Sequence, residues 1–313
     1  MQIKLTSSPA TVLLGIVMLT FSSGCSPDRT KIEKNTANKE VLNITVSIDP
    51  QKYFVEQIGG DRVKVNVMVP AGIEPHNYEP RPKQLRNVAV SEAYIIVGGD
   101  SFEKAWMSKI KSANKNLKII DSGRGITRIK MTEGHHHHHH HSHEELEDEE
   151  KGIDPHIWLS PELVKIQAQN IYSALIKLDP ENQTEYQQNL EEFIGELERL
   201  DREIEKNLEA IENRKFIVFH PAWSYFAREY DLEQIPIEVE GTEPSAAELK
   251  ELIEEAREEN IKIIFVEPQF SQRSARVIAK EIDGAVIAID PLAENWSKNL
   301  LKISEIFARE LGQ

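Results

Sequence analysis

The chain has 313 residues, of which 40% are hydrophobic and 28% are charged, a composition typical of a soluble globular protein. Its length suffices for one large domain or two modest domains. The formal net charge of −15 argues against a nucleic acid as partner, because the phosphates would be repelled by such a surface.

The chain begins with the pattern of a secretory signal, predicted over residues 1–24. Lys4 precedes an apolar run at residues 10–21, which is shorter than the roughly 20 residues that a membrane-spanning helix needs. The small residues "SSGC" then end at Cys25, the only cysteine of the chain, so that no internal disulfide can form. This segment resembles a bacterial lipobox and implies lipidation of Cys25, although Ser22 stands where leucine is more usual; plain secretion is the alternative. Residues 25–40 are polar without an apolar period, which predicts a flexible tether.

Short β-rich runs alternate with helical patterns from residue 41 onward. Strands are predicted at residues 42–48, 63–69, 94–97, 117–120, 215–219, 235–239, 262–267 and 285–289. This alternation predicts an α/β protein with two lobes, each a mostly parallel four-stranded sheet flanked by helices. The expected boundaries are residues 41–179 for the first lobe and 213–313 for the second.

One long amphipathic helix is predicted between the two sets of strands, at residues 180–212. Apolar residues recur there at steps of three and four, namely Leu190, Phe193, Leu197, Leu200, Ile204, Leu208 and Ile211. A coiled-coil dimer is one interpretation of this stripe. We favour a rigid helix that joins the two lobes of one chain, and we expect a monomer.

A histidine- and acid-rich run occupies residues 133–151. Its imidazoles belong to His135, His136, His137, His138, His139, His140, His141 and His143. The run has no apolar periodicity, which predicts a mobile surface loop. We expect this loop to bind zinc weakly and exchangeably; the alternatives are a solvated insertion with incidental histidines or an inserted tag.

The remaining three histidines are better placed for a specific site. His76 lies beyond the second predicted strand, His156 precedes a predicted helix, and His220 directly follows a strand. Asp290 and Glu267 also stand at the carboxyl ends of strands, where ligands bind in open parallel sheets. Three imidazoles and a carboxylate suit tetrahedral Zn²⁺. A lone histidine is, however, more often a cap or a buried hydrogen-bonding group.

Several stretches resemble one family over nearly the whole chain from residue 42, in the order in which that family carries them. These are "VPAGIEPHNYEPRPKQ", "DPHIWLSPELV", "FIVFHPAWSYFAREYDL", "GTEPSAAELKELIEEARE" and "IDPLAENW". They are similar to the metal-binding receptors of ABC transporters, specifically the zinc-uptake branch. The chain departs from some zinc receptors in lacking the cysteine pair of a second-lobe disulfide.

The resemblance implies a set of metal ligands. It assigns His76, His156 and His220, with Asp290 as the fourth ligand and Glu74 or water as the competitors. Manganese and iron branches commonly carry glutamate at the position of His220, so the histidine favours zinc.

The resemblance also implies a function for the whole chain. It predicts a periplasmic or cell-surface receptor, anchored through Cys25, that captures Zn²⁺ as the transported ligand in a cleft between the lobes and delivers it to an ABC permease. No GxxxxGK[ST] phosphate loop is present, so the ATPase must be a separate protein.

Three alternatives stay open at this point: a manganese or iron receptor of the same family, a zinc-dependent hydrolase, and a surface adhesin. We expect no enzymatic activity, since the chain has no GxSxG, no HExxH and no catalytic cysteine.

Overall fold

The computed structural model describes residues 41–131, 152–239 and 241–312, and these form α/β secondary structure. The strands are β1 (Leu42–Val46), β2 (Val63–Val67), β3 (Ala93–Ile96), β4 (Lys118–Asp121), β5 (Lys215–Val218), β6 (Glu233–Pro236), β7 (Ile263–Val266) and β8 (Ala285–Ala288). The α-helices are α1 (Asp49–Gly59), α2 (Pro82–Ala89), α3 (Ser101–Ala113), α4 (Pro161–Leu178), α5 (Gln183–Leu208), α6 (Ser224–Glu229), α7 (Ala246–Glu258), α8 (Arg273–Glu281) and α9 (Trp296–Leu311).

The strands form two parallel sheets of four strands each. The first has the order β2-β1-β3-β4 and the second the order β6-β5-β7-β8. We call β1–β4 with α1–α4 the first lobe, and β5–β8 with α6–α9 the second lobe. The predicted fold class is therefore confirmed.

Each predicted strand overlaps an observed one, and β6 differs most in its bounds. It begins at Glu233, because this residue pairs in parallel register with Lys215 of β5. Hydrogen bonds to the same neighbouring chain segment continue beyond its end, from the Ile237 amide to the Val218 carbonyl at 2.8 Å and from the Glu238 amide to the Phe219 carbonyl at 3.1 Å. Ile237 and Glu238, which were predicted in the strand, thus still bond to the segment of β5 although they lie beyond the observed end of β6.

The long helix α5 has 26 residues and follows a single 3₁₀ turn at Pro180–Asn182. At 1.5 Å per residue it extends roughly 39 Å. It is shorter than the predicted 180–212. Six of the seven predicted apolar residues, from Leu190 to Leu208, are buried on α5, and Ile211 is buried beyond its end. The helix packs against α1, α4 and α9 of the same chain. The apolar stripe is thus covered by helices of the same chain, as we predicted in preference to a coiled-coil dimer.

Helix starts follow from local side-chain chemistry. At α7, the Ser245 hydroxyl accepts from the Glu248 amide at 3.3 Å, and the Glu248 carboxylate accepts from the Ser245 amide at 2.6 Å, which together form a capping box. At α4, the Ser160 hydroxyl accepts from the Leu163 amide at 3.1 Å, and Pro161 occupies the first helical position. These caps fix where the loops that precede the helices end.

One large hydrophobic core includes side chains of both lobes. It contains Ile44 and Val46 of β1, Phe216 and Val218 of β5, and the buried stripe of α5, while smaller clusters lie on the outer side of each sheet. The two sheets are therefore attached to a common apolar layer. In the part of the chain that the structure describes, no helix is long and apolar enough to cross a membrane.

Candidate metal site

Three histidines that are far apart in the sequence meet between the two sheets. Each of His76, His156 and His220 offers one ligand atom, and these three atoms all lie within 4.8 Å of one another. The Nε2 atoms of His156 and His220 are 3.3 Å apart. Among residues 41–131, 152–239 and 241–312, this is the group of His, Cys, Asp or Glu side chains that could hold a metal ion.

The sheets and their loops bring the three imidazoles together. His220 follows the carboxyl end of β5, His76 lies in the connection from β2 to α2, and His156 precedes the 3₁₀ turn Ile157–Leu159 that leads into α4. His156 and His220 are buried, with 4% and 8% of the side chain exposed, whereas 20% of the His76 side chain is exposed. His76 therefore forms the solvent side of the cluster.

A carboxylate contacts the Nδ1 atom of every one of these histidines. Asp100 lies 3.0 Å from Nδ1 of His76 and Asp154 lies 2.8 Å from Nδ1 of His156. Glu238 lies 2.7 Å from Nδ1 of His220. Such contacts hold the proton on Nδ1 and leave Nε2 as the free lone pair, which is the usual arrangement around a metal-binding histidine.

Sequence reasoning missed these three carboxylates. Asp154 was visible in "DPHIW", since it stands two residues before His156. Asp100 is the N-cap of α3, where it accepts from the Phe102 amide at 2.8 Å, and Glu238 follows β6. Both are strand-end acids, which is the signal that singled out Asp290 and Glu267.

Two further carboxylates hold the histidine backbones. Glu74 accepts from the amides of His76 at 2.5 Å and Asn77 at 3.1 Å. Glu267 is fully buried and accepts from the His220 amide at 3.1 Å. Burial raises the pKa of Glu267 to about 8. Both acids therefore fix loop geometry beside the imidazoles.

The pKa values of two histidines move in opposite directions. Burial lowers the pKa of His76, but the hydrogen bond and charge of Asp100 outweigh it, so that the pKa lies above 6.5. Burial of Asp100 raises its pKa, and the contacts with His76 and the Phe102 amide reverse this, so that the net direction is downward. At His156, burial dominates over the attraction of Asp154 and lowers the pKa below 6.5.

A small cavity of about 20 Å³ lies at the cluster, enough for about one water-sized sphere. It is lined by the three histidines and by Glu74, Pro75, Trp158, Gln269, Phe270, Pro291 and Leu292. Phe270 stacks on the His220 ring with centroids 4.9 Å apart, and Trp158 lies 5.1 Å from the His156 ring. The apolar walls therefore limit access of water to the imidazoles.

Asp290 lies near this cavity but outside the histidine cluster. One of its oxygens accepts from the Gln269 side chain at 2.8 Å and from the Leu292 amide at 3.0 Å. Gln269 lines the cavity, and in the described residues Asp290 does not. Its assignment as the fourth ligand stays a prediction.

The other predicted sites fall outside the described residues. Cys25, the signal and tether at residues 1–40, and the histidines from His135 to His143 are among them. The two chain segments that flank the histidine-rich run are described. The Met131 amide donates to the Gly152 carbonyl at 2.7 Å, and Lys130 and Ile153 form an antiparallel bridge.

Comparisons with known proteins agree with this architecture. A family model described as zinc-uptake complex component A, periplasmic, matches residues 44–305. The high-affinity zinc uptake system protein ZnuA of Bacillus subtilis is 34% identical over 264 residues, which cover 82% of this chain and 80% of that protein.

Solved structures are similar over most of the chain. A crystal structure of ZnuA is 49% identical with a TM-score of 0.79 and covers 86% of this chain and 99% of its own. A crystal structure of a ZnuA deletion mutant with zinc bound is 48% identical with a TM-score of 0.79, and covers 87% of this chain and 99% of its own.

Fold and site together define a class of protein, the two-lobed receptors that bind a metal ion outside the cytoplasm for a membrane transporter. Within that class, the chain belongs to the family of periplasmic component A of zinc-uptake complexes. It is a zinc-binding component of zinc uptake and a receptor, not an enzyme, which excludes the hydrolase alternative.

Proposed function

We propose that this chain captures Zn²⁺ through Nε2 of His76, His156 and His220 and delivers it to an ABC permease driven by a separate ATPase. The observation that carries this proposal is the convergence of three imidazoles, each with a carboxylate at Nδ1. The carboxylates hold the proton of each neutral ring on Nδ1 and orient the ring before the ion arrives. Little reorganisation is then needed on binding.

The spacing of the imidazoles supports zinc as the ion. A tetrahedron with Zn–N bonds of about 2.0–2.1 Å has edges of roughly 3.3–3.4 Å. The Nε2 atoms of His156 and His220 are 3.3 Å apart, which is one such edge. The donor set also fits, since imidazole nitrogen suits Zn²⁺ while Mn²⁺ favours oxygen ligands.

Asp290 is the proposed fourth ligand, with Glu74 or water as the competitors. One Asp290 oxygen accepts from Gln269 and from the Leu292 amide, so binding the ion through this oxygen would exchange the hydrogen bond from Gln269 for a bond to zinc. Glu74 already lines the cavity, but it would give up the amides of His76 and Asn77. Substituting each residue separately therefore distinguishes which of the two binds the ion.

Calorimetric titration of the metal-free mature chain with Zn²⁺ and Mn²⁺ tests the proposal. We expect one tight Zn²⁺ and weak Mn²⁺ binding. His220→Ala should weaken Zn²⁺ binding by more than about 100-fold, because loss of a ligand exceeds the 10–100-fold effect of an outer partner. Undiminished affinity in that variant would overturn the ligand set.

Two further variants identify the fourth ligand. We expect Asp290→Asn to weaken Zn²⁺ binding and Glu74→Gln to leave it unchanged. The reverse result assigns Glu74 as the fourth ligand, and unchanged affinity in both variants assigns water.

We also propose export of the chain and anchoring through a lipid on Cys25. The pattern in residues 1–25 supports this, as does membership of a family described as periplasmic. Mass spectrometry of the mature protein should find a lipid-modified Cys25 at its amino terminus. An unmodified cysteine, or processing at another residue, contradicts the anchor without affecting the metal site.

A further inference from the structure

His76 is held differently from the other two histidines. It lies in the connection between β2 and α2, and two consecutive residues at the β3–α3 junction fix it. The Asp100 carboxylate lies 3.0 Å from Nδ1, and the Ser101 hydroxyl donates to the His76 carbonyl at 2.9 Å. The direction in which the His76 ring points therefore depends on the position of this junction.

A buried glutamate of α3 reaches back to the same junction. One oxygen of Glu103 accepts from the Val97 amide at 2.8 Å, and the other accepts from the Gly98 amide at 2.8 Å. The Ser47 hydroxyl also donates to this carboxylate, and Glu103 is only 2% exposed. Glu103 thus fixes the two amides that lead into Gly99 and Asp100.

The turn at this junction contains two glycines and is also bonded to Arg128. Gly98 and Gly99 have φ values of +77° and +85°, which side chains other than glycine rarely adopt. Arg128 donates to the Val97 carbonyl at 2.6 Å, and its guanidinium lies against both glycines. Glycine adopts these φ values without strain and has a flexible backbone, so the hydrogen-bond partners hold this turn in one conformation.

We propose that Glu103 is a positioning residue for zinc binding, acting through the β3–α3 junction and Asp100 on His76. This inference rests on the proposed role of His76 as a ligand. Without the two Glu103 acceptors, the amides of Val97 and Gly98 lose their partners in a buried place and the turn relaxes. Asp100 then no longer meets Nδ1 at its present distance, and Nε2 of His76 leaves the position that completes the site.

The simplest alternative is that Glu103 only stabilises the fold. Burial raises the pKa of Glu103 to about 7, and both of its oxygens accept from backbone amides of the junction. Glu103→Gln preserves the size of the side chain, but its amide nitrogen would face one of these N–H groups. The substitution therefore acts on the turn itself.

A matched control exists in Glu229. It is a half-buried glutamate that accepts from the Glu162 amide at 3.2 Å, and partial burial raises its pKa to about 7 as well. It contacts none of the three histidines or their carboxylate partners. Glu229→Gln should leave Zn²⁺ affinity unchanged even where it lowers the melting temperature.

The experiment is a double-mutant cycle with Glu103→Gln and Asp100→Asn, measured by Zn²⁺ competition and by the visible spectrum of the Co²⁺-loaded protein. We expect roughly a 5-fold loss for Glu103→Gln and about 10–100-fold for Asp100→Asn. The double variant should lose no more than Asp100→Asn alone, because both act on one path. The Co²⁺ spectrum should change in Glu103→Gln and not in Glu229→Gln.

Unchanged affinity and spectrum in Glu103→Gln overturn the inference, and so do fully additive losses in the double variant. If Glu103→Gln does not fold, Ser47→Ala is the second variant, since it removes one donor to the same carboxylate. The inference is supported if Ser47→Ala weakens Zn²⁺ binding in the otherwise unchanged protein but not in Asp100→Asn. It is overturned if Ser47→Ala causes no loss of affinity. His76→Ala is measured in parallel. Full Zn²⁺ affinity in His76→Ala overturns the ligand set itself. If His76→Ala weakens Zn²⁺ binding and Glu103→Gln does not, only the positioning role of Glu103 is overturned.

Discussion

At the residue scale, the three Nδ1–carboxylate contacts decide how the imidazoles act. A histidine binds zinc only when neutral, and its Nε2 lone pair is available only when the proton stays on Nδ1. Asp100, Asp154 and Glu238 favour this tautomer at each ring. They also place negative charge around a cavity that receives a dication. Orientation and charge therefore come from residues that need not touch the ion.

Asp154→Asn is expected to weaken Zn²⁺ binding by about 10-fold or more. One oxygen of Asp154 accepts from both the amide and Nδ1 of His156, and the residue is fully buried. The neutral amide holds the ring less strongly and removes one negative charge. A chelator competition assay measures the loss. Asp179→Asn, which alters a carboxylate bonded to Asn182 and Tyr186, is the control and should bind normally.

The affinity for Zn²⁺ should fall as the pH is lowered, because His76 becomes protonated. The hydrogen bond and charge of Asp100 hold the pKa of His76 above 6.5, so this ring takes up a proton while the solution is still near neutral. Below that pKa a proton must be displaced for every ion bound, and the apparent affinity drops. In Asp100→Asn the onset should move to lower pH, although the affinity at high pH is weaker. An identical pH profile in this variant contradicts the assignment.

Individual ligand positions were predictable from strand ends and from the family resemblance. His220 directly follows a strand, His76 and His156 lie in loops, and the family resemblance assigned all three as ligands. The structure brings them together. Their carboxylate partners were not identified, because Asp100 and Glu238 approach from other strands of the sheet. Whether Asp290 or Glu74 completes the site depends on loop shifts of a few ångströms, which no pattern of residue types encodes.

At the scale of elements, α5 shows why a strong period is a reliable signal. Its stripe, predicted from spacing alone, is buried against α1, α4 and α9. Strand bounds were less predictable, and β6 begins two residues earlier than expected because its start is set by pairing with β5. Hydrophobic period identifies the element, while partner strands determine where it ends.

Leu197→Ala tests the contribution of this helix. Leu197 is fully buried in the middle of α5, so the variant should lose about 2–5 kcal/mol of unfolding free energy. Glu198→Ala, on the exposed side one residue later, should change it by no more than about 0.5 kcal/mol. Urea unfolding of the metal-free protein measures both. Similar values for the two variants would mean that the buried stripe does not stabilise the chain.

At the scale of the whole molecule, the two lobes are joined by more than α5. The Trp158 indole donates to the Pro291 carbonyl at 2.8 Å, and the Trp296 indole donates to the Trp158 carbonyl at 2.7 Å. Both tryptophans are buried, and Trp296 packs against Phe54 of α1 with centroids 5.0 Å apart. Together with the shared core, these contacts favour small loop movements over large rotations during metal capture. The sequence predicted two lobes, but contacts between residues so far apart could not be predicted from it.

The histidine-rich run can be removed without cutting into the lobes, which makes it a clean test of where the tight site lies. Deleting residues 134–150 leaves Thr132, Glu133 and Lys151 to connect Met131 with Gly152, whose backbones are already bonded at 2.7 Å. Three residues are a common length for such a connection between antiparallel segments. The variant should keep one tight Zn²⁺ with unchanged affinity and lose the weaker additional ions, as measured by calorimetry. Asp154 lies two residues beyond Gly152. Loss of the tight site would contradict the expectation that the run binds only the weaker ions.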